Sequence, residues 1–154
     1  MSLEIGSLAP NVELPGNAGQ FYKLSDYHGQ KVILYFYPKD DTSGCTAEAC
    51  AFRDQLQDFN NLNAVVFGIS RDTPKSHDAF KQKYQLTFPL LSDIDGTVCA
   101  AYGTWVEKSM YGKKYFGIER STFLIDEKGT IRQIWRKVKV VDHVKEVLEA
   151  LHKI

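Results

Sequence analysis

The sequence predicts an α/β fold, a single domain over residues 1–154 built on a central mixed sheet of about five strands flanked by helices. Three observations carry this expectation. Two apolar runs of strand length, residues 31–37 and 64–69, are each followed by a segment whose apolar residues recur at helical spacing. Strands alternating with helices imply parallel crossover connections. Residues 122–135 instead hold two strand-like runs around a turn, the pattern of an antiparallel hairpin. At 154 residues and 17.5 kDa the chain can bury roughly 68–70% of the surface its unfolded form exposes, so it needs no disulfide staple to fold.

Near the N-terminus, Val12-Glu13-Leu14 and Phe21-Tyr22-Lys23-Leu24 bracket Gly16 and Gly19, which predicts a small extra β-hairpin. Lys31-Val32-Ile33-Leu34-Tyr35-Phe36-Tyr37 is apolar on both faces after Lys31, as in a central strand covered on two sides, and Pro38 stops it. From Cys45, apolar residues recur at Ala49, Phe52, Leu56 and Phe59, a helical stripe with Glu48, Arg53, Gln57 and Asp58 assigned to the outer face. Ala64-Val65-Val66-Phe67-Gly68-Ile69 reads as a second buried strand. Asp72-Thr73-Pro74 then forms a capped helix start with Pro at the first helical position, and that helix runs to about Tyr84 with Phe80 and Tyr84 inward. Residues 88–91 make a short strand, and Ser92-Asp93-Ile94-Asp95-Gly96 leads to a brief helix carrying Val98, Cys99 and Tyr102. Strands at residues 122–125 and 130–135 flank Asp126-Glu127-Lys128-Gly129. Asp142 is expected to cap a final helix in which Val144, Val147, Leu148, Leu151 and Ile154 form one stripe. The sum is a thioredoxin-like arrangement with an N-terminal hairpin added.

Lys plus Arg and Asp plus Glu number 19 each, so nothing in the charge balance favours a nucleic acid or an anionic membrane as partner. The basic stretch 132–139 reads as a solvated strand edge guarded by lysines. Three cysteines are too few, and oddly numbered, for a secreted disulfide framework, and suit a reducing compartment. Residues 1–15 carry Glu4 and Glu13 and lack the basic and apolar regions of a signal peptide. No apolar run approaches the ~18 residues of a membrane span, so the expectation is a soluble cytoplasmic protein. His28, His77, His143 and His152 lie in polar surroundings and read as surface residues. Without a Cys-x2-Cys pair, a His-x3-His pair, a phosphate loop or a dinucleotide fingerprint, neither metal nor cofactor is expected. Trp105, Trp135, Tyr102 and Phe116 read as packing residues or walls of a shallow pocket.

Cys45 is a candidate reactive thiol. A free thiol with a pKa of ~8.5 is only slightly ionised at neutral pH. Placed at the opening of the helix after Pro38, Cys45 would sit among unpaired amide donors that favour thiolate. Thr42 can turn its hydroxyl toward the sulfur, Ser43 can cap the helix, and Pro38 offers an apolar wall. The alternative is a small buried hydrophobe, the common fate of an intracellular cysteine. Cys50 lies five residues on, which in a continuous helix means ~140° around the axis, ~7.5 Å along it and about 8.6 Å between Cα atoms. A disulfide tolerates at most ~7 Å. If the two pair, the first turns of the helix must unwind.

Tyr37-Pro38-Lys39-Asp40-Asp41-Thr42-Ser43-Gly44-Cys45-Thr46-Ala47-Glu48-Ala49-Cys50-Ala51-Phe52-Arg53-Asp54 resembles the Pro-x3-Thr-x2-Cys loop and following Cys-x4-Cys of the peroxiredoxin Q type, also called the bacterioferritin comigratory protein family. Ala9-Pro10, Gly68-Ile69-Ser70, Phe88-Pro89-Leu90-Leu91-Ser92-Asp93 and Arg120-Ser121-Thr122-Phe123-Leu124-Ile125-Asp126 extend the resemblance over essentially the whole chain. The resemblance implies a thiol peroxidase. Cys45 would attack hydrogen peroxide or an organic hydroperoxide and become a sulfenic acid, and Cys50 would resolve it as an intramolecular disulfide. Thr42 would hydrogen-bond the peroxide, Pro38 would shield the sulfenic acid, and Arg120 would hold the thiolate and the bound oxygen. Thioredoxin, or glutaredoxin, would be the reductant, with electrons from NADPH through a reductase. By position alone, Arg120 is a surface arginine near a strand start and Thr42 a turn residue; their roles come from the resemblance. Glu48 could orient Arg120, or simply complement the helix dipole.

Ser43 and Ala47 depart from the proline and polar residue usual in that family, which predicts a modest change in loop stability. Cys99 reads as a packed residue able to resolve Cys45 only if the fold brings it near. Two other classes stand beside the peroxidase: a thioredoxin-like disulfide carrier, which needs a Cys-x2-Cys and a cis-proline absent here, and a non-enzymatic redox sensor or holdase, for which Thr42 and Arg120 would be unnecessary. An intramolecular resolving partner removes the chemical need for a second subunit, so a monomer is expected.

Overall fold

The computed structural model describes residues 3–154; the first two positions of the expected N-terminal stretch, and of the expected single-domain span, lie outside it. Its strands are β1 (Glu13–Pro15), β2 (Phe21–Lys23), β3 (Lys31–Phe36), β4 (Ala64–Ser70), β5 (Leu90–Ser92), β6 (Trp105–Met110), β7 (Lys113–Ile118), β8 (Ser121–Ile125) and β9 (Ile131–Trp135). Its helices are α1 (Ser43–Asn61), α2 (Pro74–Tyr84), α3 (Thr97–Ala101) and α4 (His143–His152). The main sheet has five strands in the order β5-β4-β3-β8-β9, with β3 parallel to β4 and antiparallel to β8. The expected N-terminal hairpin is β1 paired antiparallel with β2. This is the mixed α/β architecture the sequence pattern predicts.

β3 shows why both of its faces are apolar. Ile33, Tyr35 and Tyr37 pack on one side with Cys45, Ala49 and Phe52 of α1, Phe80 of α2 and Val147 of α4. Val32, Leu34 and Phe36 pack on the other with Val12, Leu14, Val98, Cys99 and Tyr102. Successive strand residues point to opposite faces, so a strand between two layers must be apolar at every position. Tyr35 stacks on Phe52, ring centroids 4.6 Å apart, which seats α1 directly over the end of β3.

The sequence reading did not anticipate the β6–β7 hairpin. Its side chains are mostly exposed or half-buried and only Ile118 is buried, so no apolar run announces it. The available signal was Tyr111-Gly112, whose backbone φ values of 52° and 78° make a two-residue turn of the kind that joins twisted strands. Two further expectations need correcting. Asp142 occupies the N-cap position of α4 but has φ 63° and makes no side-chain bond to the helix. Helix α4 ends at His152, so Ile154 falls outside its stripe and is exposed. β9 is an edge strand as the basic stretch suggested, but it ends at Trp135, and Arg136 turns back to donate to the carbonyls of Tyr102 and Gly103. Among the described residues no helix is long and apolar enough to cross a membrane.

Candidate active site

β3 delivers the chain through Tyr37 to the loop at residues 38–42, which opens directly into α1. Thr42, not Ser43, is the N-cap residue, extended at ψ 158°, and its hydroxyl donates to the Lys39 carbonyl at 2.9 Å and accepts from no helix amide. The first intrahelical bond runs from Thr46 N–H to the Thr42 carbonyl at 2.8 Å. The amides of Ser43, Gly44 and Cys45 therefore precede the helical ladder, and Cys45, 1% exposed, sits in the first turn. The positive end of the 19-residue helix points at this turn.

Arg120, between β7 and β8, crosses to the same point. Its Nη2 donates to Cys45 Sγ at 3.4 Å and its Nη1 donates to Glu48 Oε1 at 2.7 Å. One planar guanidinium thus bridges sulfur and carboxylate. Glu48 is fully buried, contrary to the outer-face assignment. It stands one turn beyond Cys45 and four residues before Phe52, so its side chain falls within the inward stripe. Burial pushes the Glu48 carboxyl up to about 7, with Arg120 pulling the other way. Burial works against the Arg120 charge, but Glu48 and then Cys45 beside it raise the guanidinium above its ordinary value. Among the described residues, Glu48 Oε2 and the neighbouring Tyr35 hydroxyl have no hydrogen-bond partner.

Gly44 also faces the guanidinium. A Cβ there would lie 3.2 Å from Arg120 Nη2, tighter than ordinary packing. Behind the contact, the Arg120 carbonyl accepts the Val138 N–H at 3.0 Å. Beside it, Pro38, Trp105, Lys108, Phe116 and Ile118 line a shallow open groove, so Trp105 and Phe116 are pocket walls as read, while Tyr102 is core. The Arg71 guanidinium lies over the Trp105 ring at 4.5 Å. Burial and the Arg120 charge lower the Lys108 pKa.

Of the residues singled out in the sequence, Cys45 and Arg120 meet directly, Thr42 begins the turn that carries Cys45, and Pro38 borders the groove. Cys50 is half-buried further along the same unbroken helix, and all three cysteines are free. Cys99 is fully buried on the opposite face of the main sheet from Cys45, which removes it as a resolving partner in this fold. Burial pushes its thiol well up.

His77 and His143 correct the surface reading, since both are buried. His77 lies three residues before Phe80 on the inner face of α2, a spacing visible in the sequence but masked by polar neighbours. The His143 ring bonds Thr122 Oγ1 at 2.8 Å, and burial followed by the Arg120 charge lowers its pKa to about 4. Among the described residues no group of three or more His, Cys, Asp or Glu could hold a metal ion.

Residues 5–134 match the AhpC/TSA family. Over 151 residues the chain is 52% identical to peroxiredoxin Bcp of Bacillus subtilis strain 168, covering 98% of this chain and 96% of that one. It superposes on a mutant of Xylella fastidiosa PrxQ with a TM-score of 0.94 at 43% identity, covering 99% and 98% of the two chains. It also superposes on the Xanthomonas campestris bacterioferritin comigratory protein, TM-score 0.88 at 44% identity over 92% and 90% of the chains, a structure addressing alkyl peroxide reduction through trapped intermediate and ligand complexes.

Proposed function

Because this chain belongs to the AhpC/TSA family, and its relatives include peroxiredoxin Bcp and PrxQ proteins, we propose that it is a thiol-dependent peroxidase with Cys45 as the attacking sulfur. The observation that carries the assignment is the Arg120 guanidinium, 3.4 Å from Cys45 Sγ and anchored by the buried Glu48. The Cys45 thiolate attacks one oxygen of a hydroperoxide and the O–O bond breaks. Sulfur becomes a sulfenic acid, and the leaving oxygen takes a proton to depart as water or an alcohol. Charge grows on that leaving oxygen, where fixed donors at the helix start and Arg120 are most useful. Thr42 then bonds the peroxide, and Pro38 covers the sulfenic acid at the edge of the groove. The half-apolar walls of Trp105, Phe116 and Ile118 admit organic hydroperoxides beside hydrogen peroxide.

Cys50 is the resolving thiol. It displaces water from the Cys45 sulfenic acid, forming the S–S bond, and a reduced dithiol partner, thioredoxin or glutaredoxin, returns both thiols by exchange. Helical geometry holds the two Cα atoms about 8.6 Å apart, beyond disulfide reach, so resolution requires the first turns of α1 to open. Ala47, Ala49 and Ala51 leave few bulky contacts to break. The enzyme works as a cytoplasmic monomer in this reading, since attack and resolution use one chain.

The test couples peroxide-dependent NADPH oxidation to thioredoxin and its reductase for wild type, Cys45→Ser, Cys50→Ser and Arg120→Ala. Turnover is expected to vanish in Cys45→Ser, and dimedone is expected to label Cys45 in peroxide-treated Cys50→Ser. Full turnover in Cys45→Ser would sink the assignment.

A further inference from the structure

Beneath the loop lies a buried polar cluster that the reaction as described does not use. Asp40, between Pro38 and Thr42, is 7% exposed and its carboxylate takes three side-chain partners. Tyr37 Oη donates to Oδ1 at 2.6 Å; Ser76 Oγ donates to Oδ2 at 2.8 Å, and His77 Nδ1 lies 2.8 Å from that same oxygen. The Asp40 N–H donates to Asp72 Oδ2 at 2.8 Å, an oxygen that also accepts from Ser70 Oγ at 2.6 Å. His77 is fully buried and its Nε2 meets the Leu91 carbonyl at 2.9 Å. A carbonyl only accepts, so Nε2 carries hydrogen. Nδ1 faces a carboxyl oxygen, so a proton lies between them.

This pair ties the loop to α2, to the end of β4 and, through Leu91, to β5. The loop's other side-chain anchor on α2 is weaker. Asp41 accepts from Lys83 Nζ at 2.8 Å and Tyr84 Oη at 2.7 Å on the exposed surface, where ion pairs contribute little. Asp41 also has φ 58°, in the left-handed region that residues other than glycine seldom occupy. A buried polar contact is seldom more stabilising than an apolar replacement, and its best-attested use is to specify one arrangement.

We propose that His77 is a positioning residue of the peroxidase site: through Asp40 it holds the loop at residues 38–42 in the form that attacks peroxide, and its release accompanies the opening that lets Cys45 reach Cys50. The proposal rests on the peroxidase reading above. Thr42, the N-cap of α1, is two residues from Asp40, so movement of the anchor is passed directly to the turn bearing Cys45. Weakening the anchor must therefore slow attack and speed resolution. Loss of stability alone does not require this opposition.

The experiment measures the two steps separately under single turnover. In a Cys50→Ser background, His77→Leu is expected to slow oxidation of Cys45 by hydrogen peroxide by about tenfold or more, because displacement of a reacting group by an ångström is costly. In the Cys50-containing protein, the same change is expected to speed conversion of the sulfenic acid to disulfide severalfold and to reduce over-oxidation to sulfinic acid. His77→Asn, which can keep a donor toward Asp40, is expected to recover most of both rates. Tyr37→Phe removes one bond to Asp40 and leaves the ring in its stack on Tyr35. It is expected to shift the same two rates in the same directions by a smaller factor, and decides the matter if His77→Leu does not fold. Unchanged rates, or both steps slowed together, would overturn the proposal while leaving the peroxidase reading intact. Failure of the Cys50→Ser parent to form a Cys45 sulfenic acid would overturn both.

Discussion

Substituting Glu48→Gln probes the buried pair at the centre of the site. Glu48 is fully buried and burial pushes its carboxyl from an ordinary 4.5 up to about 7. Between those values the unfolded chain has released a proton that the folded chain keeps, so this group makes wild-type stability fall as pH rises. From about pH 5 to about pH 8 the loss works out at ~2.5 kcal/mol. Gln has no such proton, so the variant lacks this slope. Urea unfolding of both reduced proteins across that range measures it. The stability of Glu48→Gln minus that of wild type is expected to become more positive by ~2.5 kcal/mol, which at a typical slope of ~2 kcal/mol per molar urea moves the midpoint difference by ~1.2 M. Broken contacts with Arg120 lower the variant by an amount independent of pH, and other titrating groups common to both proteins cancel in the difference. Parallel curves would refute the reasoning, for Arg120 would then have held Glu48 ionised in spite of its burial.

Arg120→Lys keeps the charge but loses the planar fork that bridges Cys45 and Glu48; peroxide kcat/KM is expected to fall by about 10²–10³-fold, read by initial rates with thioredoxin saturating. Gly44→Ala places a Cβ against Arg120 Nη2 while adding about 0.5–1 kcal/mol of helix propensity, so peroxidase activity should fall although the thermal midpoint holds or rises. His143 is lowered to about 4 from 6.5, so the unfolded chain binds the extra proton first and stability is lost as pH falls from 6.5 toward 4. His143→Gln should flatten that acid limb in thermal melts.

Periodicity made α1, α2 and the strands on either side of them legible, because their apolar residues face one core along a regular path. It failed at β6 and β7, whose hairpin buries almost nothing, and at Glu48 and His77, polar residues that the core accepts because Arg120 and Asp40 meet them there. Gly44 escaped notice because its reason is a guanidinium 76 positions away.

The sequence by itself determined where the candidate thiol lies. A strand ending before Pro38, a short polar loop and a helix starting at Ser43 put Cys45 in a first turn, and local hydrogen bonding and apolar spacing are enough to specify that. Only the tertiary structure decided what surrounds the thiol. Arg120 reaches Cys45 from 75 residues away because β8 pairs with β3, and His77 reaches Asp40 because α2 packs beside the same sheet. Such contacts depend on strand register and helix packing, which join distant segments, and a linear pattern of polar and apolar residues does not encode which charges will share a buried point.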